Sequence, residues 1–203
     1  MALLFASNNA GKLREIRALL AGTDVASPAD LDLALDVEES GETFAANAEL
    51  KARAYAAASG RVALADDSGL EVDALGGAPG VYSARYGGPD LDDAGRYRHL
   101  LAELRSYPKP DQRRARFRCA ICAVGPDGRQ CQAEGRCEGL IAKTPAGSNG
   151  FGYDPVFFVP EHNLTMAQLA PEIKNGLSHR ARALAAVYPL LQSTFPELNI
   201  APS

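Results

Sequence analysis

The spacing of apolar residues along the chain predicts strands and helices in alternation. An apolar run at residues 2–6 is typical of a short buried strand, and apolar residues then recur every three or four positions over about 12–20, which predicts a helix. A second short strand is expected at Asp24–Ala26. Another helix is expected over Thr43–Ser59, followed by Gly60, a residue favoured just beyond a helix C-terminus. The first part of the chain therefore reads strand, helix, strand, helix.

The rest of the chain continues with both kinds of periodicity. A third helix is predicted at about Leu91–Leu104, and the segment Tyr107–Pro110 is the clearest internal linker. The strict alternation over Arg114–Val124 predicts a strand with one apolar face and one arginine-rich face. A turn rich in glycine leads into its expected partner strand near Gln130–Ile141, and a final helix is expected over about His179–Gln192.

A pair of adjacent acidic residues follows another apolar run. The run Val62–Leu64 leads into Asp66–Gly69, which predicts a buried strand that ends in a polar turn. In α/β proteins ligands bind at the carboxyl ends of strands. Two carboxylates there are costly unless a cation is present, and Mg²⁺ is the usual hard partner. The structural alternative is an Asx-rich surface turn, and these residues alone do not decide between the two.

Composition excludes several classes of protein. A chain of 203 residues is long enough for one substantial domain, and 46% apolar with 23% charged residues is ordinary for a soluble globular protein. The net charge of −4 argues against a general nucleic-acid binder, so Arg114, Arg116 and Arg118 are interpreted as a solvated sheet face. Neither a bilayer-spanning apolar run nor a signal-peptide pattern is found, which predicts a cytoplasmic protein without membrane contact.

The four cysteines invite a comparison with zinc sites. Cys119 and Cys122 have zinc-like spacing, but Cys131 and Cys137 are separated by more residues than zinc ribbons prefer. Positions 119 and 122 also point to opposite faces of the expected strand. Buried free thiols are therefore predicted, rather than a metal site or disulfides.

Four separated segments combine glycines or polar turns with charged groups. Ser7–Lys12 offers backbone N–H groups, amides and an ammonium to an anion, and Glu38–Glu39 could hold a metal together with a second acidic group. Gly150–Pro155 offers aromatic rings and a carboxylate to a flat base, and Lys174 lies close in sequence to Ser178–Arg180. Each segment has an ordinary structural explanation as a capped turn or helix start. Together they describe sites for a triphosphate, a metal and a planar base.

The same segments carry a resemblance to a known family. The chain resembles the inosine triphosphate pyrophosphatases, also called XTP/dITP or non-standard purine nucleotide pyrophosphatases. The resemblance covers nearly the whole chain, apart from the middle hairpin and the tail after Leu191. Its motifs lie at Ser7–Glu15, Ala65–Leu70, Leu75–Tyr86, Gly150–Pro155 and Ser178–Leu184.

The resemblance implies a fold, a reaction and a role for each motif residue. It implies one domain over residues 1–203, with an elongated α/β fold of two lobes around a long mixed sheet, an active-site cleft between the lobes, and a homodimer. It also implies Mg²⁺-dependent hydrolysis of purine nucleoside triphosphates to monophosphate and pyrophosphate, with Asp67 as proton acceptor and metal ligand and Glu38 as its metal partner. The implied substrate-binding residues are Ser7, Asn8, Asn9, Ala10, Gly11, Lys12 and Lys51 for the phosphates, Ser68 for the nucleotide, and Phe151, Gly152, Tyr153, Asp154, Lys174, His179 and Arg180 for the base and sugar.

Elementary chemistry agrees with these roles but leaves alternatives open. Donors such as His179 and Arg180 would be satisfied by a purine O6 but not by the adenine amine, at a cost of ~1–3 kcal/mol for each unpaired donor. Rejection of GTP has no explanation in the sequence. The alternatives are a Maf-like or all-α pyrophosphatase for modified pyrimidines, a nucleotide sensor without catalysis, and an RNA-binding module that uses the arginines at 113–118.

Overall fold

The structure, a computed structural model, describes residues 2–198 and 200. Met1, Asn199 and residues 201–203, which the predicted domain includes, lie outside the described residues. The chain falls into two compact units, each built from separated stretches of sequence. Unit 1 contains the residues before Ser68, the stretch Cys119–Gly135 and the residues from Arg180 onward, and unit 2 contains Ser68–Arg118 and Arg136–His179. The interpretation of the whole chain as one domain stays a prediction.

Seven strands form a mixed sheet in the order β2-β1-β3-β4-β5-β6-β7. The pairs β1–β2 and β1–β3 are parallel, and the pairs β5–β6 and β6–β7 are antiparallel. The predicted α/β class with a mixed sheet is therefore confirmed, while the cleft between lobes stays a prediction. The strands are β1 (Leu3–Phe5), β2 (Val25–Ala26), β3 (Ala63–Val72), β4 (Arg114–Val124), β5 (Gln130–Ile141), β6 (Phe157–Val159) and β7 (Leu164–Thr165).

Five α-helices accompany the sheet in the described part of the chain. The first two helices start at capping residues: Asn9 accepts a hydrogen bond from the Lys12 N–H, and Thr43 accepts one from the Ala46 N–H. Gly60 ends the second helix with φ 64°, as the sequence predicts. The helices are α1 (Ala10–Leu19), α2 (Phe44–Ser59), α3 (Asp93–Glu103), α4 (Pro171–Leu177) and α5 (His179–Thr194).

The strand that leads into the acidic pair does not end there, so the predicted polar turn at Asp66–Gly69 is wrong. β3 continues through these residues to Val72, and both aspartates are buried within it. Leu70 and Val72 are fully buried beyond them and continue the apolar pattern of the strand. The polar stretch is tolerated in a strand because cationic side chains from distant parts of the sequence pair with it, which a local pattern does not show.

Unit 1 has its own hydrophobic core. Apolar residues of β1 and the start of β3 pack with α1 and α5, as the spacing of apolar residues on those helices predicts. Ile16 of α1 and Val187 of α5 are fully buried in this core. The buried Cys119 belongs to the same core and is a free thiol, as are Cys122, Cys131 and Cys137. This packing fixes the elements that carry the charged residues of unit 1.

Unit 2 has a second core, which includes Leu70, Phe117 and Phe157. The alternation predicted for β4 is confirmed from Arg114 to Cys119, with Ala115 and Phe117 buried, but the rest of the strand up to Val124 is buried on both faces. On the face opposite Ala115 and Phe117, two arginines pair with the Glu71 carboxylate. Arg118 lies 3.2 Å from it and Arg116 lies 3.5 Å from it. The predicted linker at 107–110 lies within unit 2 and not at a boundary between units.

Within the described residues, none of the helices combines the length and the apolar character needed to cross a membrane.

Candidate active site

Asp66 and Asp67 occupy different environments although they are neighbours in β3. Consecutive side chains of a strand point to opposite faces of the sheet. Asp66 therefore meets residues of α1 and α5, whereas Asp67 meets residues of α2. A single dipeptide thus supplies one carboxylate to each of two clusters in unit 1.

Asp66 is fully buried between two cations. Its Oδ1 atom lies 3.0 Å from Lys12 Nζ, and its Oδ2 atom accepts hydrogen bonds of 3.0 and 2.8 Å from Nε and Nη2 of Arg180. Arg180 also donates to Glu15. Burial alone would raise the pKa of Asp66, but Lys12 and Arg180 outweigh it and hold this pKa far below its usual range. Asp66 therefore stays ionised and is a poor proton acceptor.

Asp67 has the opposite tendency. Burial raises its pKa, and the neighbouring Glu39 raises it further, so that the opposing effects of Lys51 and Lys12 do not compensate. Asn47 Nδ2 donates a 3.1 Å hydrogen bond to Oδ2 of Asp67, and Lys51 Nζ lies 3.8 Å from Oδ1. A carboxylate with a raised pKa holds a proton better, which is the property that a general base needs.

The acidic turn before α2 reaches this site through Glu39. Lys51 Nζ donates to the Glu39 carboxylate at 2.8 Å, and burial of Lys51 is outweighed by Asp66, Asp67 and Glu39, so that its pKa is raised. Glu38, the metal partner implied by the resemblance, is exposed, while Glu39 is half-buried. The role implied for Glu38 stays a prediction, but the contacts of unit 1 favour its neighbour.

The residues implied for phosphate binding lie at the start of α1. Ser7 accepts a hydrogen bond from the Asn9 N–H at 3.2 Å, and Asn9 caps the helix by accepting from the Lys12 N–H at 3.0 Å. Asn8, Asn9 and Ala10 are exposed, whereas Gly11 is buried. The first turn of a helix presents backbone N–H groups and a partial positive charge, which suits an anion.

In unit 2 the loop Gly150–Pro155 is held by a buried ion pair. Asp154 Oδ2 accepts hydrogen bonds from Lys174 Nζ at 2.6 Å and from the Phe151 N–H at 2.9 Å. Lys174 Nζ also lies 5.2 Å from the centre of the Phe151 ring. Gly150 has φ 79°, and an added Cβ would overlap the Asp154 carboxylate, so that only glycine fits there.

Two further contacts fix the same loop. Gly152 N–H donates to the Asp93 carboxylate at 2.8 Å, and Tyr153 OH donates to the carbonyl of Ser83 at 2.9 Å. Tyr153 is buried and the implied contact of its ring with the base stays a prediction, whereas the half-buried Phe151 lines a pocket of about 600 Å³. The pocket lies between this loop and the first turn of α3.

His179 and Ser68 are the remaining residues of unit 2 for which the resemblance implies a contact with the nucleotide. The His179 imidazole is buried and stacks on the Phe117 ring, with centres 4.8 Å apart and planes inclined by 19°. Ser68 follows Asp67 in β3 and is half-buried. The implied contacts of these two residues with a nucleotide stay predictions.

The donor set of unit 1 fits a hard divalent cation. Mg²⁺ is commonly held by one or two carboxylates together with substrate phosphates and water, rather than by a cage of protein ligands. Asp67 and Glu39 supply two such carboxylates, which lie 3.8 Å and 2.8 Å from the same Lys51 Nζ atom. Within residues 2–198 and 200, no cluster of three or more His, Cys, Asp or Glu side chains that could hold a metal ion is found.

Comparison with known proteins decides the family. A model of the Ham1 family matches residues 3–190. The chain belongs to the Ham1 family. This Ham1 family protein is 53% identical over 184 residues to the dITP/XTP pyrophosphatase of Geobacillus kaustophilus, with 90% of each chain covered. It is 52% identical over 191 residues to the dITP/XTP pyrophosphatase of a Nostoc species, with 92% of each chain covered.

Solved structures of Ham1 proteins have the same fold. The Staphylococcus aureus Ham1 protein is 42% identical and superposes with a TM-score of 0.84 over 95% of this chain and 99% of its own. The dITP/XTP pyrophosphatase of Mycobacterium abscessus is 46% identical, with a TM-score of 0.74 over 93% of this chain and 100% of its own. The resemblance to the XTP/dITP pyrophosphatases is confirmed.

The sequence motifs correctly indicated which segments of this Ham1 family protein carry charge, but not every contact. Lys12, Lys51 and Asp67 come together in unit 1, and Phe151, Asp154 and Lys174 come together in unit 2. The residues that sequence reasoning missed are Asn47, Asp66 as the anchor of Lys12 and Arg180, and Asp93. Glu39 belongs to the acidic pair that the sequence indicates, although the resemblance singles out Glu38.

Proposed function

We propose that this Ham1 family protein is a nucleoside triphosphate pyrophosphatase that removes dITP, XTP and ITP from the nucleotide pool. The products are the monophosphate and pyrophosphate. The observation that carries the proposal is Asp67, a buried carboxylate of raised pKa whose neighbours include Lys12 and Lys51. The names of relatives at about half sequence identity support the same substrate class.

The chemistry is assigned to unit 1. A water molecule attacks the α-phosphorus, a new P–O bond forms, and the bond from this phosphorus to the bridging oxygen breaks as pyrophosphate leaves. Asp67 accepts the proton of the attacking water, which its raised pKa favours. Lys12, Lys51 and the N–H groups at the start of α1 stabilise the negative charge on the phosphate oxygens.

Asp67 and Glu39 would hold Mg²⁺. Because the family resemblance implies Glu38 rather than Glu39 as the second ligand, both glutamates are tested. When bound, the cation supplies further neutralisation of the phosphate oxygens. Lys51 contacts Glu39 at 2.8 Å, which positions that carboxylate beside Asp67. The comparison of Glu39→Gln with Glu38→Gln at limiting Mg²⁺ decides which residue is the metal partner.

Recognition of the base is assigned to unit 2. Phe151 offers a ring for stacking, and Lys174, held by Asp154, offers a hydrogen-bond donor to the purine O6. Hypoxanthine and xanthine carry this acceptor, whereas adenine carries an amine that is itself a donor. A donor left without an acceptor costs ~1–3 kcal/mol, which favours ITP and XTP over ATP.

The proposal also includes a homodimer, on the basis of the family resemblance alone, and a cytoplasmic location, which is the prediction from the sequence pattern. Light scattering coupled to size exclusion measures the mass in solution. A mass of about twice 21.4 kDa supports the dimer, and the mass of a single chain contradicts it.

Product analysis tests the proposed reaction. The purified protein is incubated with Mg²⁺ and separately with dITP, ITP, XTP, GTP and ATP, and the products are resolved by phosphorus NMR. The proposal expects monophosphate and pyrophosphate from the first three nucleotides and little turnover of the others. Orthophosphate as the first product would place the cleaved bond elsewhere, and tight binding without turnover would indicate a nucleotide sensor.

A further inference from the structure

The side chain of Asn47 joins two parts of the candidate metal site. Its Oδ1 atom accepts a 2.7 Å hydrogen bond from the N–H of Gly41, which lies two residues after Glu39. Its Nδ2 atom donates a 3.1 Å hydrogen bond to Oδ2 of Asp67. Asn47 is only 1% exposed, so that these protein contacts replace solvent.

The chemistry of its two partners fixes the orientation of this amide. The Gly41 N–H can only donate, so it must face the amide oxygen. The Asp67 carboxylate, when ionised, can only accept, so it must face the amide nitrogen. Rotation of the amide by 180° would break both hydrogen bonds. Asn47 therefore sets the direction of one Asp67 oxygen, while Lys51 Nζ lies 3.8 Å from the other.

The backbone is shaped to bring the acidic turn close to Asn47. A Cβ atom added to Gly41 would lie 2.7 Å from Oδ1 of Asn47 and 2.8 Å from Cβ of Ala46, both too short for a stable contact. Asn47 itself lies in the first turns of α2, where its N–H donates to the Thr43 carbonyl at 3.1 Å. The close approach therefore depends on glycine at position 41.

We propose that Asn47 is a positioning residue that orients Asp67 and fixes the acidic turn carrying Glu39 relative to it. The inference deepens the proposed function and rests on it for the catalytic role of Asp67. Some residues hydrogen-bond to a metal ligand without contacting the metal themselves. Their removal commonly lowers metal affinity or activity by about 10- to 100-fold. Asn47 would act through Asp67 and Glu39, without touching the substrate.

The central test compares Asn47→Ala with Thr43→Ala. Thr43 caps the same helix next to the same turn, so its loss lowers stability without removing a contact of Asp67. Binding of Mn²⁺ alone is measured by electron paramagnetic resonance, and kcat and KM for XTP are measured at saturating Mg²⁺. Asn47→Ala is expected to weaken Mn²⁺ binding about 10-fold and to lower kcat about 10- to 100-fold with little change in KM. Thr43→Ala should leave all three values within about twofold of the wild-type values. Its Tm should fall about as much as the Tm of Asn47→Ala.

Two further variants keep the inference falsifiable if Asn47→Ala does not fold. Asn47→Asp has the same shape and still accepts from Gly41, but it cannot donate to Asp67, so kcat is expected to fall by about the same factor. Gly41→Ala removes no polar side chain and should reproduce part of the loss by displacing Asn47. Full kcat in Asn47→Asp together with unchanged Mn²⁺ binding in Gly41→Ala would overturn the inference.

The proposed function and the inference fail in different ways. If the wild-type protein does not hydrolyse XTP, the proposed function fails, and the Mn²⁺ measurements still decide whether Asn47 organises the carboxylates. If the wild-type protein is active and Asn47→Ala matches Thr43→Ala in kcat and Mn²⁺ binding, the inference alone fails.

Discussion

In unit 1 Asp66, Asp67, Lys12 and Lys51 project from a strand and two helices, although Glu39 lies in the acidic turn, whereas in unit 2 the candidate residues lie mainly in a loop. Asp66 and Asp67 belong to β3, and Lys51 belongs to α2. The loop Gly150–Pro155 has no regular secondary structure of its own and is held in place by Asp154 and Asp93. The difference suits the proposed division of roles. Catalytic groups are held most precisely by strands and helices, whereas a base-binding surface can be formed by a loop that the rest of the unit positions.

The two sites also differ in how charge is used. Unit 1 gathers several carboxylates and cations, and the pKa of one carboxylate falls while that of its neighbour rises. Unit 2 contains the buried pair Lys174–Asp154, which fixes the loop beside Phe151. Changes in unit 1 should therefore act on kcat or on stability, and changes in unit 2 should act on the choice of base.

The largest expected effect is the loss of turnover in Asp67→Asn. Removal of the proton acceptor should lower kcat by about 10³-fold, within the range of general-base catalysis. Because the folded pKa of Asp67 is raised, its ionised form costs stability at pH 7, and the neutral asparagine should keep or raise the Tm. Steady-state kinetics with XTP and thermal unfolding check both parts. Full activity in this variant would remove Asp67 from catalysis.

The neighbouring substitution Asp66→Asn should act mainly on stability. It removes the buried carboxylate that pairs with both Lys12 and Arg180, although Arg180 keeps its ion pair with Glu15, and it is expected to lower the free energy of unfolding by about 3–5 kcal/mol at pH 7. The pKa of Asp66 is depressed in the folded state, so its contribution is present above the unfolded pKa of about 3.9 and is lost as pH falls below it. Urea unfolding of both proteins from pH 7 to pH 3 should show the difference shrinking, and a constant difference would contradict this role.

The smallest expected effect comes from Tyr153→Phe in unit 2. The change removes only the hydrogen bond to the Ser83 carbonyl, so the free energy of unfolding should fall by about 1 kcal/mol. Because Tyr153 packs in the core of unit 2 and does not line the pocket that Phe151 lines, kcat/KM for XTP should change by less than about twofold. A large loss of activity with unchanged stability would show that Tyr153 contacts the nucleotide.

Much of the fold could be predicted because the relevant signals are local. Thr43 and Gly60 mark the limits of α2 by capping, and the alternation of β4 sorts its residues onto two faces. The sequence pattern does not predict β6 and β7, which have three and two residues, although it predicts β1 and β2, which are as short. Local signals thus find long elements and capped ends, but only some of the short strands.

The contacts of the site could not be predicted in the same way because they join distant residues. Asp66 is tolerated in a strand through Arg180, which lies 114 residues away in the sequence. The choice between Glu38 and Glu39 depends on which side chain faces Lys51, and neither charge nor spacing distinguishes them. Asn47 resembles an ordinary polar residue of a helix until its contacts with Gly41 and Asp67 are seen.

The most direct test of the division between the sites is the double substitution Asp154→Asn with Lys174→Met. It removes the buried ion pair as a whole, so no charge is left without its partner, and asparagine can still accept from the Phe151 N–H. The measurement is the ratio of kcat/KM for XTP to kcat/KM for ATP. The account predicts that this ratio falls about 10- to 100-fold in the double variant and stays at the wild-type value in the residual activity of Asp67→Asn. An unchanged ratio in the double variant, or a changed ratio in Asp67→Asn, would contradict the assignment of base recognition to unit 2 and chemistry to unit 1.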